Sequence, residues 1–171
     1  TEQAIEVLET RNGVVIADET GKKYALKWTA RDPKYPEVNA FYHLNRAKDW
    51  ATFKDALKLF GLSPQNAVYA DIKGNIGWRV AGQVPIRRTG DGSLPYDGTT
   101  TDGDWLGNIP FDELPNLYNP PEGFIVTANQ RIAGTDYKYQ QMTRTYMSSR
   151  ARRIYDLLAA NKKVSMDDSR D

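Results

Sequence analysis

At 171 residues the chain is long enough for one domain with its own apolar core, and 40% hydrophobic with 26% charged residues is a globular rather than a disordered composition. Its 23 Lys and Arg against 22 Asp and Glu leave a formal charge of +1, so no bulk field favours nucleic acid or an acidic membrane surface as partner. The lack of Cys removes disulfides, thiol nucleophiles and cysteine metal sites, and no apolar run approaches membrane-spanning length.

Residues 1–30 read as a three-strand meander. Ile5 and Val7 alternate with Glu6, Asn12-Gly13 marks a tight turn before Val14-Val15-Ile16, and Glu19-Thr20-Gly21 leads into Tyr24-Ala25-Leu26-Lys27-Trp28. From 37 to 61 the period becomes helical. Asp49 is placed to cap, Trp50, Phe53, Leu57 and Phe60 share one face, and Gly61 is the expected stop. Residues 67–72 and 76–80, joined by Lys73-Gly74-Asn75, read as a hairpin that runs on to Pro85, where the strand should end or lie on an edge. Residues 87–108 are rich in Gly and Asp without periodicity, which predicts a functional loop or part of an interface. A Pro-punctuated connector covers 109–121. Gly123-Phe124-Ile125-Val126-Thr127-Ala128 then predicts a short buried strand that delivers Asn129 at its end. Residues 148–160 predict a helix with Ala151, Ile154, Leu157 and Leu158 inward. Ser165-Met166-Asp167-Asp168 is close to a capping box, announcing a helix, with an ordinary polar tail as the alternative.

Few of these residues suit catalysis on their own. One His (His43), no Cys and no paired helical ligands argue against a transition-metal site, and residues 97–104 lack the alternating acids and closing Glu of a calcium hand. His43, flanked by Phe41, Tyr42 and Leu44, reads as a packed, hydrogen-bonded helical residue, and no Gly-x-Ser-x-Gly elbow exists. An N-terminal Thr can use its own amine as base, so Thr1 is a formal nucleophile, with a plain chain start as the simpler reading. Asn129 reads as a strand-ending turn residue or as an amide donor aimed at an oxyanion. Arg150 falls on the predicted buried face of its helix, and with Arg152 and Arg153 it opposes the helix dipole. A structural ion pair and a functional site both explain it.

Several blocks, taken together and in order, resemble penicillin amidases. They include Tyr24-Ala25-Leu26-Lys27-Trp28, His43-Leu44-Asn45-Arg46-Ala47-Lys48-Asp49-Trp50, Tyr69-Ala70-Asp71-Ile72-Lys73-Gly74-Asn75-Ile76-Gly77, Trp105-Leu106-Gly107-Asn108-Ile109-Pro110, and Asn119-Pro120-Pro121-Glu122-Gly123-Phe124 onward to Asn129. The resemblance implies an α+β fold, part of the αββα sandwich of the N-terminal-nucleophile hydrolases. These mature by self-cleavage into a small and a large chain, and a Ser exposed at the start of the large chain attacks the amide. Residues 1–171 match, as a single segment, roughly the middle third of that large chain, and the Ser lies outside them.

By this resemblance Asn129 is the oxyanion-hole Asn and Arg150 the Arg that holds the catalytic geometry. Phe41 and Gln65 match two acyl-pocket positions. Gln65 departs from the apolar residue of penicillin G acylases, so phenylacetyl specificity is not implied. The family's structural calcium is held partly by an Asp whose aligned position is close to Gln140, with Asp136 nearby, so no calcium is expected in this segment. Expected partners are the remainder of the large chain, the small chain and a small acyl amide, in an exported bacterial enzyme. By itself the segment is expected to be inactive and to self-associate. A free-standing β-rich module that binds ligands on an aromatic platform is the rival reading, since the chain holds four Trp and ten Tyr.

Overall fold

Two local turns fold the first part of the chain into an antiparallel meander. In the computed structural model, which describes residues 4–32, 37–62, 64–139, 149–161 and 163–168, β1 (Glu9–Thr10), β2 (Gly13–Ala17) and β3 (Lys23–Leu26) form a three-stranded sheet in that order. The Asp18 carboxylate organises the second turn by accepting from the Thr20 and Lys22 amides at 2.9 Å each. Ile5 and Val7 stay outside the ladder, 79% and 63% exposed, because β1 pairs with β2 at Glu9 and Thr10 and the contact ends at the Leu8 carbonyl, which accepts from the Val15 amide.

The helical stretch is two helices, α1 (Glu37–Leu44) and α2 (Trp50–Leu57). The break follows from the cap. Asp49 takes an extended backbone (φ −157°, ψ 173°), its Oδ1 accepts from the Thr52 amide at 2.8 Å, and the Thr52 hydroxyl accepts from the Asp49 amide at 3.2 Å. A helix cannot run through a residue in that conformation, so it stops and restarts. α2 ends at Leu57 with Lys58 as its C-cap, short of the expected Gly61. His43 is exposed, with its ring edge-on to Tyr42 at 5.4 Å, and is not the packed residue expected.

The second sheet has the order β4–β5–β8, from Gln65–Ala70, Ile76–Ala81 and Asn116–Tyr118. The β4–β5 turn is built on Asp71, whose carboxylate accepts from the Lys73 and Asn75 amides, the Asn75 side chain and the Tyr69 hydroxyl. These bonds, the Asn75 side chain first, bring its pKa down to about 2, while burial and the bond to Asp71 raise Tyr69 to about 12. β5 is central and covered on both faces. On one side Trp50 of α2 lies over Gly77, where a Cβ would sit 2.6 Å from the indole, so only Gly fits. Trp50 also stacks on Tyr118 and Phe53 at 5.1 and 5.7 Å. The same side holds the cluster Ala40, Leu57, Phe60 and Ala81. On the other side Trp78 and Val80 pack with Ile109 and Leu114.

Several boundaries differ from the sequence expectation. β5 stops at Ala81, and Pro85 opens a separate strand, β6 (Pro85–Arg87), which pairs with β7 (Trp105–Asn108). The predicted 87–108 loop therefore shortens to the residues between those strands. The predicted 109–121 connector contains β8, which pairs with β5 through Trp78 opposite Leu117. Residues 124–128 are half-buried and belong to no sheet among the described residues, so the expected buried strand lacks a neighbour to pair with. α3 spans Ser149–Ala160. Ala151 is buried, but Ile154 and Leu157 are 40% and 48% exposed, because nothing in the described residues covers that face. The 165–168 cap forms, with Asp168 accepting from the Ser165 amide at 2.7 Å and donating its own amide to the Ser165 hydroxyl at 3.2 Å. No described helix is long and apolar enough to cross a membrane.

Candidate active site

Asn129 and Arg150 are 21 residues apart in sequence and meet in space. The Arg150 Nη2 donates to Asn129 Oδ1 at 2.7 Å and to the Ala128 carbonyl at 3.2 Å. Arg150 sits in the first turn of α3 with its side chain outward, so the predicted buried-face position is replaced by a reach back to the end of residues 124–128. A guanidinium has only donors, so it fixes the amide oxygen of Asn129 toward itself and turns the NH2 group away. Arg152 is bonded separately, to Asp156 at 3.0 Å, which offsets one of the unfavourable charges at this helix start.

Asn129 has a left-handed backbone, φ +64°. Asn tolerates this region better than other non-Gly residues, at a cost of about 1–3 kcal/mol that the surroundings must outweigh. Gln130 supplies part of that hold. Its side-chain amide bridges the Val126 carbonyl (2.7 Å) and the Ala128 amide (2.6 Å), so Ala128 is gripped through both backbone groups. Nothing in the sequence reading singled out Gln130, since a polar residue in a polar loop carries no periodic signal. Beyond it, Glu113 anchors the chain. Its backbone carbonyl accepts from the Tyr137 hydroxyl at 2.9 Å, and its carboxylate takes Lys138 at 2.5 Å and the Tyr139 hydroxyl. Lys138 first, then Tyr139, hold that carboxyl below its ordinary range.

A cleft of about 800 Å³ reaches Gln130 and Ala151, the chain neighbours of this pair, and is lined also by Trp78, Leu117, Phe124, Ile125 and Tyr155. Phe41 and Gln65 gather elsewhere, around Phe60 and Ala81. Phe41 is 55% exposed and edge-on to Phe60 at 5.9 Å, and Gln65 opens β4 opposite Ala81. The same face of β5 buries Arg79, which sequence reasoning also missed. Its guanidinium lies 3.8 Å from the Phe111 ring centre and donates to the Phe111 carbonyl, and burial pushes its pKa down.

Among the described residues no three His, Asp or Glu come together as a metal site. Asp97 is committed to Thr99 and Asp104 to Arg11 at 2.6 Å. Gln140, Thr1 and the start of the predicted helix at Ser148 lie outside the described residues. Asp136 is exposed, and no group of three His, Asp or Glu among the described residues includes it.

The antiparallel sheet and the helices on its face correspond to part of the N-terminal-nucleophile hydrolase fold. The match to the thermostable penicillin G acylase of Alcaligenes faecalis has a TM-score of 0.76 and 25% identity, over 94% of this chain and 29% of that one. The chain belongs to the penicillin amidase family, whose profile matches residues 1–171. It is 34% identical over 172 residues to penicillin acylase 2 proenzyme of Pseudomonas sp., covering 98% of this chain and 22% of the relative. It is 36% identical over 126 residues to acyl-homoserine lactone acylase QuiP of Pseudomonas fluorescens, covering 74% of this chain and 16% of the relative. Penicillin G acylase of Escherichia coli is 34% identical over 130 residues, 74% of this chain and 15% of the relative. The chain thus spans about a fifth of the length of the curated relatives it matches.

Proposed function

We propose that residues 1–171 are a segment of an N-terminal-serine amide hydrolase in which Asn129 is the oxyanion donor and Arg150 the residue that orients it. In this reading the nucleophilic Ser stands outside residues 1–171. Its oxygen adds to the amide carbonyl, and the carbonyl oxygen becomes an oxyanion. The Asn129 NH2 donates to that oxygen. Collapse expels the amine, which takes up the proton that the Ser α-amine removed from the hydroxyl, and leaves an acyl-enzyme, which water then hydrolyses. The observation that carries this reading is the 2.7 Å bond from Arg150 to Asn129 Oδ1, which leaves the amide's donors facing away from Arg150 on an exposed, backbone-strained residue.

The substrate class we assign is a small acyl amide, in keeping with the names of the relatives. Phe41 and Gln65 contribute to the acyl pocket, where the Gln65 amide favours acyl chains other than phenylacetyl. The partners are the rest of the large chain and the small chain. A free-standing aromatic platform is less well supported, because Trp50, Phe53, Tyr69 and Tyr118 are spent stacking on one another.

In the full-length enzyme Asn129→Ala should lower kcat about a hundredfold or more, with KM and melting temperature little changed, because the donor acts on charge that exists only in the transition state. The assay is steady-state hydrolysis of chromogenic acyl amides. A folded variant with unchanged kcat would refute the assignment.

A further inference from the structure

We infer that Gln130 is a positioning residue for the proposed hydrolysis: its side chain clasps residues 126–128 and so holds the backbone of Asn129 in the conformation from which the amide is aimed. This rests on the reading of Asn129 as the oxyanion donor.

Two described residues other than Gly have a left-handed backbone, Asn119 at φ +47° and Asn129 at φ +64°. Such a conformation persists only where the surroundings enforce it. Asn119 is held through its own side chain, whose Oδ1 accepts from the Ile76 amide at 2.9 Å and whose Nδ2 donates to Asn75 Oδ1 at 2.8 Å. Its backbone amide also donates to the Ile76 carbonyl at 2.9 Å. Asn129 turns its Oδ1 to Arg150 instead, and its NH2 must stay open to substrate. The restraint on its backbone has to come from neighbouring residues.

Gln130 supplies it. Its Nε2 donates to the Val126 carbonyl at 2.7 Å, and its Oε1 accepts from the Ala128 amide at 2.6 Å. Residues 124–128 join no sheet among the described residues, so this single amide group, with a donor and an acceptor side by side, does for residues 126 and 128 what a paired strand does in a ladder. The two bonds close a ring from residue 126 to residue 130 that contains Asn129. Arg150 completes the hold by donating to the Ala128 carbonyl at 3.2 Å and to Asn129 Oδ1 at 2.7 Å. Arg150 thus sets the rotation of the side chain, and Gln130 sets the backbone that carries it. Loss of the clasp frees the turn, and a catalytic group displaced by about 1 Å loses on the order of a hundredfold in rate.

The test is steady-state kinetics on the full-length enzyme and its variants Gln130→Ala, Gln130→Glu and Asn129→Ala, with a chromogenic acyl amide that the wild type turns over. Gln130→Ala should lose about tenfold or more in kcat, with KM within about twofold of wild type. Gln130→Glu adds a readout that a merely structural role would not move. As a carboxylate, the new side chain keeps an acceptor for the Ala128 amide but sets a second acceptor against the Val126 carbonyl. Once protonated, its hydroxyl donates there and restores the clasp. Its kcat relative to wild type at the same pH should therefore rise at least about threefold between about pH 8 and about pH 5. A ratio that stays constant with pH overturns the proposal. So does a wild-type kcat in Gln130→Ala beside a lost kcat in Asn129→Ala, which leaves the oxyanion reading standing. Should Gln130→Ala fail to fold, the pH dependence of Gln130→Glu decides alone. Unchanged kcat in a folded Asn129→Ala strikes the oxyanion reading itself, and the role of Gln130 falls with it.

Discussion

β5 and α3 carry apolar residues at equally regular spacing and meet opposite fates. In β5 every residue from Gly77 to Ala81 is buried, with Trp78 at 6% and Val80 at 3% exposure, because α2 lies on one face and residues 109–114 on the other. In α3 only Ala151 is buried, and Ile154 and Leu157 keep 40% and 48% of their surface. Periodicity identifies the apolar face of an element, whereas burial needs a neighbour: α3 meets Phe124 through Tyr155, but the described residues supply nothing that covers Ile154 and Leu157.

The contrast has measurable consequences. Trp78→Ala should cost about 3–5 kcal/mol in denaturant unfolding of the 171-residue chain, as for a large aromatic lost from a packed core. The open face and the free edge of β8 should next make that chain self-associate in a concentration-dependent way and bind a hydrophobic dye. Sedimentation velocity that finds a strict monomer at high concentration, with no dye bound, would remove this half of the comparison. Leu157→Ala should change stability by no more than about 0.5 kcal/mol. A loss equal to that of Trp78→Ala would mean that α3 is covered after all.

The pH dependence should mark the well-packed region. Asp71 has a folded pKa of about 2, below its ordinary 3.8, so its contribution is complete above the ordinary value and is lost as pH falls through about 2. Tyr69 has the opposite sign: raised to about 12, it contributes fully below its ordinary 10.0 and loses that as pH rises through about 12. Urea midpoints of the wild type and Asp71→Asn should therefore converge as the solution is acidified from about pH 5 toward 2. A gap that stays constant would remove Asp71 as the cause.

What was legible in the sequence was mostly local. The Asp49 cap, the turns at residues 19–21 and 73–75, and the cap at Ser165 involve partners a few residues apart, so local composition announces them. β7 and β8 were hidden because each is short, set among Gly or Pro, and defined by a partner far along the chain. Arg79 was hidden by its own alternation: Trp78-Arg79-Val80 suggests a solvent-facing Arg, and only the packing of Phe111 shows that this face is covered. The candidate site was half visible. Arg150 stood out as a charge its helix does not favour and Asn129 as an amide ending an apolar run, but their contact across 21 residues is a product of the fold.

That contact gives the most direct test of the account, a double-mutant cycle on kcat in the full-length enzyme with Asn129→Ala, Arg150→Ala and the pair. If Arg150 works by orienting the Asn129 amide, the double variant should lose no more than Asn129→Ala alone, within about twofold, because an absent amide needs no orienting. Losses that multiply, with both single variants folded and each slowed, would show that the two residues act independently and would contradict the arrangement proposed.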